Sequence, residues 1–205
     1  MPPCRCTYPH SFPQPPPPEP CPPPPTPRDA QLDSMILKYA ILNGGLELLP
    51  QSLATMAILP LQMKMVYRVG KAYGHELDRG HIREFLAVIG IGATAQVVEN
   101  FARKFLGGFL KKAGGKMAGK VGKAATGAAM SFATTYALGQ VARRYYAGGR
   151  SLAAVDLKAL FAEQVQSAQG LYAQHAPQVE AASQQLDVRQ VLDMVRGGSA
   201  EKLSV

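Results

Sequence analysis

Over residues 33–150 the apolar side chains recur three and four positions apart, the period of a helix that buries one side. A first helix is predicted over 33–49. Ile36, Leu37, Ala40 and Ile41 share a face of it, and Asp33 or Ser34 can cap it. Gly44-Gly45 weakens its middle and Pro50 ends it. A second helix, over 52–73, is bent at Pro60, carries Leu53, Met56, Ala57, Leu61, Met65 and Val69, and turns at Gly74. A third, over 78–110, starts from Asp78 as N-cap and continues through Phe85, Val88, Ile89 and Gly92. A fourth, over 116–146, stops at Gly148-Gly149. No segment sustains the two-residue alternation of a strand. The predicted fold class is therefore all-α, a helical bundle with Gly/Ala-rich hydrophobic hairpins behind a disordered Pro-rich leader.

The two ends are different material, which gives three parts: a leader over 1–32, a core over 33–150 and a tail over 151–205. Proline fixes φ and has no amide donor, so runs such as 15–18 and 22–25 adopt polyproline II rather than fold. The leader reads as a tether, or as sequence upstream of a true start at Met35; a ligand for proline-recognition modules is the sharper alternative. It lacks the unbroken apolar run of a secretory signal. Cys4, Cys6 and Cys21 all lie in it, so the core has neither disulfide nor thiol chemistry, and Cys4-Arg5-Cys6 is misspaced for zinc. In the tail, Leu157, Leu160, Phe161, Val165, Ala168, Leu171 and Tyr172 form one amphipathic helix, and Pro177 starts another turn of chain. Asp187 with Gln190 spells a capping box, and Leu186 can staple to Val191.

Charge sharpens the division. The 205 residues carry a net charge of +8. Residues 100–150 hold no acid, while Arg103, Lys104, Lys111, Lys112, Lys116, Lys120, Lys123, Arg143, Arg144 and Arg150 are all basic. Such a block calls for an anionic partner. Anionic lipid is the reading preferred here, with Lys111, Lys112, Lys116, Lys120, Lys123, Arg143 and Arg144 as its contacts. Residues 124–142 are uncharged and would span ~28 Å as a helix, close to a hydrocarbon core. They are mostly small, which makes a poor solitary span. Small residues recur every fourth position at Gly115, Gly119, Gly127, Ser131, Thr135 and Gly139, with Ala125, Ala129, Ala133 and Ala137 as a second row. These rows allow close helix packing in a membrane and in a bundle alike. Residues 48–63 and 85–98 are also uncharged, which suggests hairpins that enter one leaflet or pack against it.

Catalytic patterns fail one by one. Gly114 to Lys120 nearly spells a phosphate loop, but Val121 stands where Ser or Thr must hold Mg²⁺. Gly90-Ile91-Gly92-Ala93-Thr94-Ala95 looks like a dinucleotide fingerprint but lies in an expected apolar helix. His75 and His81 are six apart, whereas a helical zinc pair needs four. No cofactor or metal is implied, and the chain is expected not to be an enzyme.

Gly44-Gly45 with Leu49-Pro50, the run Leu61-Gln62-Met63-Lys64-Met65, Tyr73-Gly74-His75-Glu76-Leu77, and the run Ala133-Thr134-Thr135-Tyr136-Ala137-Leu138-Gly139 together form a pattern. It resembles the bacterial YcjF-like family of inner-membrane proteins, a domain of unknown function also found beside GTPase domains. Pro50-Gln51-Ser52 departs from the Pro-Pro-Asp that many relatives carry. The resemblance implies association with the bacterial inner membrane, integral or peripheral on its cytoplasmic side, and a separately encoded GTPase or another cytoplasmic protein as partner. Self-association stays open. The expected role is a membrane-associated, non-enzymatic scaffold or adaptor; the alternative is a soluble, basic, helical nucleic-acid binder.

Overall fold

The computed structural model describes residues 27–90 and 120–196. Every element within them is a helix: α1 (Pro27–Leu46), α2 (Gln51–Ala72), α3 (Arg79–Ile89), α4 (Lys120–Ala147), α5 (Ala154–Gln185) and α6 (Val188–Arg196). The fold is all-α. Helix α4 is central, packing on α5, α1 and α2; α3 lies against α5 and α2, and α6 against α2.

Local chemistry sets most of the ends. Asp78 caps α3 by accepting the His81 amide at 2.8 Å. Gly90 closes that helix at φ 96, well before the expected end at 110. A left-handed residue stops a helix because the chain turns away from the ladder. The remainder of that expected helix lies outside the described residues. Gly74 (φ 80) and Gly149 (φ 66) make two further turns that use glycine's freedom. The capping box forms in both directions: Gln190 N–H donates to Asp187 Oδ1 at 2.7 Å, and Asp187 N–H to Gln190 Oε1 at 3.2 Å. Leu186 and Val191 are both buried beside it.

Two further expected boundaries move. Helix α1 starts at Pro27, inside the expected leader, rather than at a cap on Asp33 or Ser34. Proline suits a first helical turn, where its missing amide has no partner to lose. Asp33 is consequently mid-helix, and Leu32 is buried at 5% exposure. A chain beginning at Met35 would lack both. Pro177 does not start a new turn, because α5 runs through it as one 32-residue helix. The local penalty is about 3 kcal/mol. It is offset by Val165, Ala168, Val179 and Ala182, which bury on both sides of the proline.

One apolar cluster joins the expected core to the expected tail. Leu32, Ile36, Leu61, Met65, Leu138 and Val141 share it with Leu157, Phe161, Val165 and Val191. A second, smaller cluster sets Phe132 among Ala40, Ile41, Val179 and Ala182. The tail helices are thus part of the bundle. Among the described residues no helix is long and apolar enough to cross a membrane. The uncharged stretch of α4 turns its apolar side chains into protein instead: Ala128, Phe132, Ala137, Leu138 and Val141 are buried.

Candidate functional site

The small-residue row on α4 faces α1. At Gly139 a β-carbon would sit 2.5 Å from Ile36 Cγ2, and at Gly127 it would sit 2.9 Å from Glu47 Cγ. Ser131 and Thr135 between them are buried. Gly115 and Gly119 lie outside the described residues. The neighbouring row contributes Ala129, Ala133 and Ala137, all buried. Gly44 and Gly45 complete the seam from the α1 side. A β-carbon on Gly44 would meet the Ala128 carbonyl at 3.3 Å, and one on Gly45 the Val179 carbonyl and Ser183 amide at 3.1 Å. The pair expected to weaken α1 is where the backbones of α4 and α5 approach it.

Thr135 also carries a polar junction among three helices. Its Oγ1 accepts from Asn43 Nδ2 on α1 at 3.0 Å and from Gln62 Nε2 on α2 at 3.1 Å. All three residues are buried. A pair of donors meeting one hydroxyl fixes the register of α1, α2 and α4 at once, because a slide leaves buried donors unsatisfied. Asn43 Oδ1 is buried without a hydrogen-bond partner among the described residues.

Charged groups divide between inner and outer roles. Arg143, expected to meet lipid, instead pairs with Asp33 at 2.6 Å, and Gln140 Nε2 donates to the same oxygen at 2.8 Å. A carboxylate brought alongside by α1 takes up the guanidinium, so Arg143 ties α1 to α4. Arg144 is exposed. Lys111, Lys112 and Lys116 lie outside the described residues; Lys120 and Lys123 fall in the first turn of α4. Glu47 is half-buried against Gly127, and burial raises its carboxyl above the ordinary range.

At the far end of α4, Phe85 stacks on Tyr145 at 5.1 Å and tilts on Tyr146 at 5.8 Å. Burial and the neighbouring Tyr145 push the Tyr146 phenol up to about 12. His75 docks its ring on Tyr146 and its Nε2 lies 3.0 Å from the Tyr146 carbonyl oxygen. His81 sits 3.2 Å from Asp78. The two histidines thus serve the turn and the α3 cap. A cavity of about 90 Å³ beside them is lined by His81, Glu84, Tyr145 and Arg150 among others. It mixes both signs of charge and forms no nucleophile–base pair. Among the described residues no cluster of three metal-ligating side chains occurs. The phosphate-loop-like run lies outside the described residues up to Lys120. Of the dinucleotide-like run only Gly90 is described, and it ends α3 rather than lying within a helix.

The feature that periodicity did not single out is the outer face of α2. Ala54, Ala57, Leu61, Met65 and Val69 bury its inner face, while Met56 (60% exposed), Leu59 (40%) and Tyr67 (40%) point outward. Among the apolar residues read from the sequence on this helix, Ala57 and Leu61 are buried and Met56 is exposed. Helix α2 has two apolar faces, and packing decides which one is core. The signal available was composition: residues 48–75 contain no acid, and Lys64, Arg68 and Lys71 are basic. Burial, then the charge of Arg68, lowers the Lys64 ammonium below its ordinary value. Comparison with protein-family models, with curated proteins and with solved structures gives no match.

Proposed function

We propose that this chain is a non-enzymatic helical scaffold that docks on an anionic membrane surface. One observation carries the reading: acids are excluded from residues 48–75 and 100–150, while Lys64, Arg68, Lys71, the lysines over 104–123 and Arg144 remain there. A solvated helix face ordinarily mixes signs. The sorted field suits an anionic lipid surface, where each basic group contributes about 1 kcal/mol. The bundle supplies the rigid part. Its helices meet at glycine and alanine seams and are pinned by the Thr135 junction. The resemblance to the YcjF-like family supports the same reading and adds a separately encoded GTPase as the protein partner.

The test is flotation of the purified chain with anionic and with neutral vesicles, beside a nucleic-acid shift assay at the same salt. Flotation on anionic vesicles alone is expected, weakened by salt because exposed charges are screened over about 10 Å at 0.1 M. A tight nucleic-acid shift with no flotation on either vesicle would overturn it in favour of a basic nucleic-acid binder.

A further inference from the structure

We infer that the outward face of α2 is the surface that enters the membrane interface, with the helix lying in the plane of an anionic bilayer. The inference rests on the membrane reading above and names its site. Met56, Leu59 and Tyr67 form one exposed stripe along the helix, and Met63, on the same side, is partly buried against the core. Of the exposed large apolar side chains among the described residues, three belong to this stripe; the other, Val155, stands alone in the first turn of α5. The stripe is held outward, because the opposite face of α2 is locked into the core through Ala57, Leu61, Met65 and Val69.

Charge selects the occupant. At 100° per residue Lys71, which is exposed, and the half-buried Lys64 lie beside the stripe, Arg68 lies farther round toward the buried face, and α2 carries no acid. A second copy of the chain packed face to face would bring those cations onto their like. An anionic bilayer supplies phosphates to the flank and an acyl boundary to the stripe, the arrangement of an in-plane amphipathic helix. Met and Leu suit the acyl side of that boundary and Tyr its headgroup side. At 22 residues the helix would lay ~33 Å along the surface.

The chain has no tryptophan, so a single one reports its own site. Met56→Trp and Val155→Trp are compared in the full chain, with vesicles of phosphatidylcholine alone and with added phosphatidylserine. Met56→Trp is expected to shift to the blue only with phosphatidylserine, while Val155→Trp does not move. The combined Met56→Ser, Leu59→Ser and Tyr67→Ser variant should lose flotation by about tenfold per side chain removed. All three positions are exposed, and unchanged circular dichroism checks that the bundle persists. If the wild type floats while Met56→Trp stays unshifted, or while the folded serine variant floats equally well, the membrane reading stands and the α2 site is wrong. If the wild type floats on neither vesicle, both fall. A blue shift of Met56→Trp that grows with protein concentration without vesicles assigns the stripe to self-association and overturns the proposal.

Discussion

Replacing Gly139 by alanine tests the close approach of α4 to α1 with a single methyl group. In an exposed helix the change is favourable by ~1 kcal/mol, because alanine loses less backbone entropy than glycine. At Gly139 the new carbon would lie 2.5 Å from Ile36 Cγ2, 2.7 Å from Cγ1 and 3.1 Å from Cβ. Carbon atoms settle at about 3.5–4.0 Å, so Ile36 or its helix must retreat by about 1 Å. Ile36 is fully buried, and a β-branched side chain in a helix has one strongly preferred χ1. Overpacking of this kind costs about 1–3 kcal/mol, so the net change is a destabilisation of up to about 2 kcal/mol. Two glycines calibrate it. Nothing lies within 4 Å of a β-carbon at Gly170 on α5, so Gly170→Ala should stabilise by ~1 kcal/mol. At Gly127 the obstacle is the half-buried, flexible Glu47 side chain, so Gly127→Ala should fall between the two. Urea unfolding followed by circular dichroism ranks the three. Ile36→Ala removes the obstacle, so in a double-mutant cycle the combined loss of Ile36→Ala and Gly139→Ala should be less than the sum of their separate losses. If Gly139→Ala is as stable as Gly170→Ala, the close approach is not present in solution.

Thr135→Val strands the Asn43 and Gln62 amides in the core and should cost about 2–4 kcal/mol, whereas Thr135→Ser keeps the acceptor and should be mild; equal urea midpoints for the two would remove the junction's role. Deleting residues 1–34 removes Leu32 from the core and Asp33 from Arg143, so a truncated chain should lose at least the ~2–5 kcal/mol of a Leu→Ala change. A truncated chain that melts with the intact one would show that the first turns of α1 are dispensable. Burial raises the Glu47 pKa, so the folded state holds this proton more tightly than the unfolded one. Stability therefore falls as pH rises from the ordinary carboxylate value through the raised one. Glu47→Gln should melt higher than the wild type at neutral pH and lose that advantage below the carboxylate range, and a constant difference across pH would exclude the titration.

What the chain spells locally, it builds. Asp78 needs only the amide of His81, and Asp187 and Gln190 need only each other, so both caps are legible within four residues of sequence. Gly148-Gly149 ends α4 for the same reason, and Gly90 is a stop of the same kind whose apolar surroundings concealed it. The row of small residues on α4 was readable as a packing surface, though not which helix it faces: Ile36 is far away in sequence, and only the fold brings it to Gly139.

The sequence by itself determined that this chain is helical, that helices start after Asp78 and Asp187 and stop at Gly74 and Gly148-Gly149, and that its acids are kept away from two long segments. These properties depend on backbone geometry, on neighbours one turn away, and on composition. Tertiary structure decided the rest. It carried α5 through Pro177, because apolar contacts on both sides of the proline outweigh one lost backbone bond. It drew Arg143 to Asp33, a partner 110 residues away. It also chose which of two apolar faces of α2 became core, because both satisfy a helical period and only the surface offered by α1, α4 and α6 distinguishes them.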